Sequence, residues 1–74
     1  MKYNSYNIGY IDEDGQLRET QMDVPANLSE EEQKREVLRL TLNFLKENNI
    51  PITMFATKEG QTIQYIEKAG EEEY

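Results

Sequence analysis

A chain of 74 residues, 36% hydrophobic and 31% charged, has the material for one small core and no second one. Fifteen acidic against eight basic side chains leave a net charge of −7, which repels phosphate backbones and anionic membrane surfaces and argues against direct nucleic-acid binding. With no cysteine and no histidine, the sequence offers no disulfide, thiolate nucleophile, imidazole base or usual zinc ligand set.

The first third predicts a β-hairpin. Tyr6, Ile8 and Tyr10 alternate with polar residues, and Met22 and Val24 resume the pattern beyond Asp12-Glu13-Asp14-Gly15. A three-residue loop of Glu13, Asp14 and a left-handed Gly15 sets Tyr10 against Arg18, Ile8 against Thr20 and Tyr6 against Met22, which gathers the apolar residues on one face. A two-residue loop would scatter them. Pro25 ends the second strand because it has no N–H for the ladder.

Ser29 and Glu32 then have the spacing of a capping box, and a helix is expected from there to Asn48 or Asn49, stopped by Ile50-Pro51. Glu30, Glu31 and Glu32 suit its first turn, where free N–H groups and the helix dipole favour carboxylates. Arg35, Arg39 and Lys46 mark a solvated side, with Glu31 paired to Arg35. Val37, Leu38, Leu40, Leu42, Phe44 and Leu45 fall within an arc of roughly 200° at helical spacing. That is wide for a helix on one sheet. Thr41, inside the arc, is expected to bond back to the Val37 carbonyl.

Beyond Pro51, Ile52, Met54 and Ala56 alternate with Thr53, Phe55 and Thr57. A turn at Lys58-Glu59-Gly60-Gln61 leads into Thr62 to Ile66, so a second hairpin is expected. A two-residue Glu59-Gly60 loop aligns Ala56 with Ile63 and Met54 with Tyr65, but asks Glu59 for a positive φ, which leaves the register open. The predicted fold is α+β in the order ββαββ, a four-stranded antiparallel sheet from two hairpins with one helix packed on one face. Residues 1–67 form the domain and 68–74 an acidic, disordered tail.

No constellation of residues points to catalysis. Ser5 and Ser29 are the only serines, one in a strand and one a helix cap, with no histidine as base. Asp12, Asp14 and Gly15 fall at positions three, five and six of an EF-hand loop, but Tyr10 and Gln21 stand where its first and last ligands belong. No catalytic residue, metal or cofactor is assigned. No apolar run approaches the roughly 20 residues that span a bilayer, and the N-terminus has no signal-peptide core, so a cytoplasmic location is expected.

What remains is apolar residues on the wrong side. In the chosen register Ile11 and Leu17 face away from Tyr6, Ile8 and Tyr10, and the second hairpin leaves Phe55 and Ile66 opposite Met54 and Tyr65. Together they suggest an exposed patch, ringed by Asp12, Glu13, Asp14, Glu19 and Asp23. An apolar centre with an acidic rim suits a non-enzymatic regulator or inhibitor that docks a basic surface of a nucleic-acid-handling protein. In size and charge the chain is similar to the small acidic inhibitors of restriction and CRISPR systems made by phages and mobile elements. The alternative is a homodimeric structural or accessory protein whose patch is met by a second copy. A weaker third reading is a small-molecule site between helix and sheet at Tyr6, Tyr10 or Tyr65.

Overall fold

Asp12 organises the first turn. In the computed structural model, which describes residues 1–53 and 60–73, its Oδ1 accepts from the Asp14 and Gln16 backbone N–H groups, both at 2.9 Å, and its Oδ2 from Arg18 Nε at 2.8 Å. Gly15 takes a φ of 77°, which a side chain at that position would resist. This closes β1 (Lys2–Ile11) on β2 (Leu17–Pro25). The register is the one the alternation demands: Tyr10 opposes Arg18, Ile8 opposes Thr20 and Tyr6 opposes Met22.

Ser29 caps α1 (Glu30–Glu47) by accepting from the Glu32 N–H at 3.2 Å, and its hydroxyl donates to the Glu32 carboxylate at 2.9 Å. The helix ends in a Schellman motif. Asn49 adopts φ 57°, its N–H donates to the Lys46 carbonyl, and the Ile50 N–H donates to the Leu45 carbonyl. Ile50 then packs with Leu45 and Tyr10. The helix stops before Ile50-Pro51, but its last residue is Glu47 and not Asn48 or Asn49, because Asn48 is the cap and Asn49 takes the left-handed turn.

Among the described residues the fold is α+β, with one helix and a three-stranded antiparallel sheet in the order β2-β1-β3. The four strands of a ββαββ arrangement are not found among the described residues. Ile52 and Thr53 are not in a strand, and the rest of the expected third strand, with Phe55 and the proposed hairpin register, lies in 54–59, outside the described residues. The tail expected to be disordered is also corrected: β3 runs from Ile63 through Glu73. Its residues 66–73 pair with β1 from Ile8 back to Lys2, so backbone ladder bonds order a stretch that has little apolar content.

The core lies between the helix and one sheet face. Ile8, Val24 and Val37 form one cluster and Tyr10, Leu45 and Ile50 the other, with Ile63 packed against both. Thr41 is fully buried, and its hydroxyl donates to the Val37 carbonyl at 2.7 Å. The wide apolar arc divides accordingly. Leu40 and Phe44 pack against the clusters, Phe44 edge-on to Tyr10, while Leu38 and Leu42 are half-buried at the helix flank.

Polar contacts close the far end of this core. Gln33, buried in the helix, accepts at Oε1 from Asn4 Nδ2 at 2.7 Å and from the Tyr6 hydroxyl at 3.1 Å, and donates from Nε2 to the Leu28 carbonyl at 2.8 Å. Tyr6 therefore has its polar tip in this network, and Tyr10 lies in the core beside Leu45 and Ile50.

Candidate protein-docking face

Strand alternation fixes which residues face away from the helix. Ile8 is fully buried on the helix side, so Tyr3, Ser5, Asn7, Gly9 and Ile11 of β1 form the outer face. Their partners continue it: Asp23, Gln21, Glu19 and Leu17 on β2, and Glu72, Gly70, Glu67 and Tyr65 on β3. This surface carries four carboxylates. Every lysine and arginine among the described residues lies elsewhere: Lys2, Arg18 and Lys68 occupy helix-side positions of the sheet, and Lys34, Arg35, Arg39 and Lys46 belong to α1.

Neutral hydroxyls organise two of the carboxylates. The Ser5 hydroxyl donates to Asp23 Oδ1 at 2.8 Å. Tyr65 lays its ring across Gly9, where even a Cβ would collide with it, and its hydroxyl donates to Glu19 on the far strand. Glycine is needed at this central position because the ring occupies the space a side chain would fill. The Glu19 carboxylate, by accepting this bond, raises the Tyr65 phenol above its ordinary value, and partial desolvation acts in the same direction. These bonds hold the negative groups in place without cancelling their charge.

At one end of the face, Ile11 and Leu17 oppose each other directly. Leu17 is 60% exposed and Ile11 half-buried. Glu19 and Asp23 stand on the same face as expected. Glu13 and Asp14 are exposed at the adjoining hairpin tip. Asp12 is not available as a rim charge in the same way, because its carboxylate is committed to the turn. The hydrogen bond from Arg18 and then that from the Gln16 backbone hold it below the usual carboxylate value.

Ile66 does not join Ile11 and Leu17. It opposes Ile8, which puts it on the helix side of the sheet at the outer strand, 39% exposed. The expected arrangement of Tyr65 and Ile66 is thereby reversed. β3 pairs with β1, and a register shift between Gly9 and Tyr10 sets Ile63 against Tyr10, Tyr65 against Gly9 and Ile66 against Ile8. Phe55 lies outside the described residues. Glu67 and Glu72 are functional candidates that the hydropathy pattern missed, and Tyr65 was expected on the helix side; Gly9 in the middle of an alternating strand was the available signal for a close approach.

Among the described residues no three acidic groups converge to hold a metal ion, and no helix is long and apolar enough to cross a membrane. Comparison with family models, curated proteins and solved structures finds no match, so the functional reading rests on this geometry.

Proposed function

We propose that this chain is a non-enzymatic, protein-binding regulator or inhibitor that works in the cytoplasm and sets the outer face of its sheet on a basic surface of a nucleic-acid-handling protein. It would belong with the inhibitors that phages and mobile elements encode. The observation that carries this reading is the segregation of charge: Glu19, Asp23, Glu67 and Glu72 share a face on which the register places no lysine or arginine among the described residues. A single-sign face steers encounter with an oppositely charged partner, and Leu17 with Ile11 supplies apolar contact to prolong it. The same feature weighs against a homodimer built on this face, since apposed copies would bring like charges together.

Affinity capture with the tagged chain tests the proposal. A basic partner should be retained at low salt, released at high salt, and lost with the paired replacement Glu19→Lys and Glu67→Lys. Leu17→Asp should weaken capture while leaving the circular dichroism spectrum unchanged. Retention that ignores both salt and charge reversal would contradict the proposal.

A further inference from the structure

An open sheet edge borders the acidic face. At the two ends of the β1–β2 ladder the Asp12 N–H donates to the Gln16 carbonyl and the Ala26 N–H to the Lys2 carbonyl, both at 2.9 Å. Bonded and unbonded pairs alternate along an antiparallel ladder, so Arg18, Thr20, Met22 and Val24 turn their backbone groups to β1 and the odd-numbered residues of β2 turn theirs away. The Ile11 N–H confirms the parity, because it donates on the β3 side, to the Thr62 carbonyl at 2.9 Å. β2 is the outermost strand in the order β2-β1-β3, and the backbone N–H and C=O groups of Leu17, Glu19 and Gln21 meet no partner among the described residues.

We propose that this edge receives an extended basic segment of the protein partner, which adds to the sheet as a further antiparallel strand beside β2. The inference deepens the preceding reading and rests on it for the basic character of the partner; what it adds is main-chain hydrogen bonding as the means of attachment.

The two edges of the sheet are built differently. β3 breaks register twice against β1 and carries Lys68 and Gly70, devices that blunt an edge. β2 pairs over nine residues without a shift, contains no lysine or glycine, and places its proline at the very end, so it keeps the regular spacing of a template.

Charge selects the occupant. Leu17, Glu19, Gln21 and Asp23 send their side chains to the outer face, and a strand bonded there sets its own alternate side chains beside them. In the antiparallel sense, two basic residues four positions apart stand opposite Asp23 and Glu19, and an apolar residue two further on stands opposite Leu17. The Ser5 and Tyr65 hydroxyls hold both carboxylates without neutralising them. A second copy is the wrong occupant, because two-fold pairing of the full β2 edges sets Glu19 of one copy against Asp23 of the other.

The test is a titration of the isotope-labelled full chain with the peptide acetyl-Lys-Val-Thr-Thr-Lys-Thr-Val-amide, followed by NMR. The backbone amides of Leu17, Glu19 and Gln21 should shift and become slow to exchange, while those of Ile66 and Lys68 on the other edge stay unchanged. N-methylation of the peptide at its third and fifth residues keeps both lysines and should weaken binding about tenfold, equivalent to about 1.4 kcal/mol. Gln21→Pro removes an edge N–H, keeps every β1–β2 ladder bond and every carboxylate, and should weaken binding comparably with the dichroism spectrum unchanged. Undiminished binding of the N-methylated peptide would overturn the proposal, since charge alone would then hold it. So would shifts at the β3 edge in place of β2, or shifts at β2 that grow with protein concentration in the absence of peptide, which would make a second copy the occupant. The two readings fail separately. Salt-sensitive partner capture that survives Gln21→Pro, with no peptide shift at β2, overturns strand addition alone; peptide binding at β2 without salt-sensitive capture overturns the docking reading alone.

Discussion

Gly9→Ala places a methyl group inside the Tyr65 ring, close to Cε2, Cζ and Cδ2. The backbone there is not left-handed, so alanine is not strained by φ, and the loss of glycine flexibility in the unfolded chain should by itself stabilise by about 0.4–1 kcal/mol. The collision opposes this. Overpacking costs about 1–3 kcal/mol, and displacing the ring also breaks the Tyr65 to Glu19 hydrogen bond. The net expectation is a loss of about 1–2 kcal/mol, seen in urea denaturation followed by circular dichroism, or as a Tm lowered by about 4–8 °C per kcal/mol for a domain of this size. A double-mutant cycle with Tyr65→Ala isolates the cause. With the ring removed, Gly9→Ala should become neutral or mildly stabilising. An equal cost in both backgrounds would refute the reasoning, because the ring would then not be what requires glycine.

Gln33→Leu removes the shared partner of Asn4, Tyr6 and the Leu28 carbonyl, and with buried groups left unpaired it should cost about 2–4 kcal/mol in urea midpoint analysis despite the gain in hydrophobicity. Ser29→Ala should lower stability by about 1 kcal/mol through loss of the cap, measured the same way. Asp12 has a folded-state pKa below its ordinary value, so its stabilisation is complete above pH of about 4 and is lost as pH falls through the depressed value. The stability difference between the wild type and Asp12→Asn should therefore narrow with acid below about pH 4 and stay flat above it; a gap that widens with acid would contradict the assignment.

The first hairpin and the helix were legible because each is specified locally. Alternation and Gly15 select one loop length, Ser29 and Glu32 mark the helix start, and Ile50-Pro51 marks its stop. β3 was legible only in part. Its apolar half, Ile63 to Ile66, reads as strand, but from Glu67 onward it is ordered by backbone pairing with β1, a long-range contact that leaves no hydropathy pattern. The outer face was half visible for the same reason. Ile11, Leu17, Glu19 and Asp23 follow from the hairpin register, whereas Tyr65 and Glu67 depend on which strand β3 joins and on the register shift beside Gly9, and Glu72 also on the second shift between Ser5 and Tyr6. Gln33 was hidden differently: a lone glutamine on a helix reads as surface, and only tertiary packing against Asn4 and Tyr6 buries it.

The most direct measurement is amide hydrogen exchange on the chain bound to the protein it captures. The outer sheet face should gain protection along residues 17–23 and 65–67 while the exposed flank of α1 around Arg35 and Arg39 is unchanged, and the gain should vanish with Glu19→Lys and Glu67→Lys. Protection confined to the helix, with the sheet unaffected, would contradict the account.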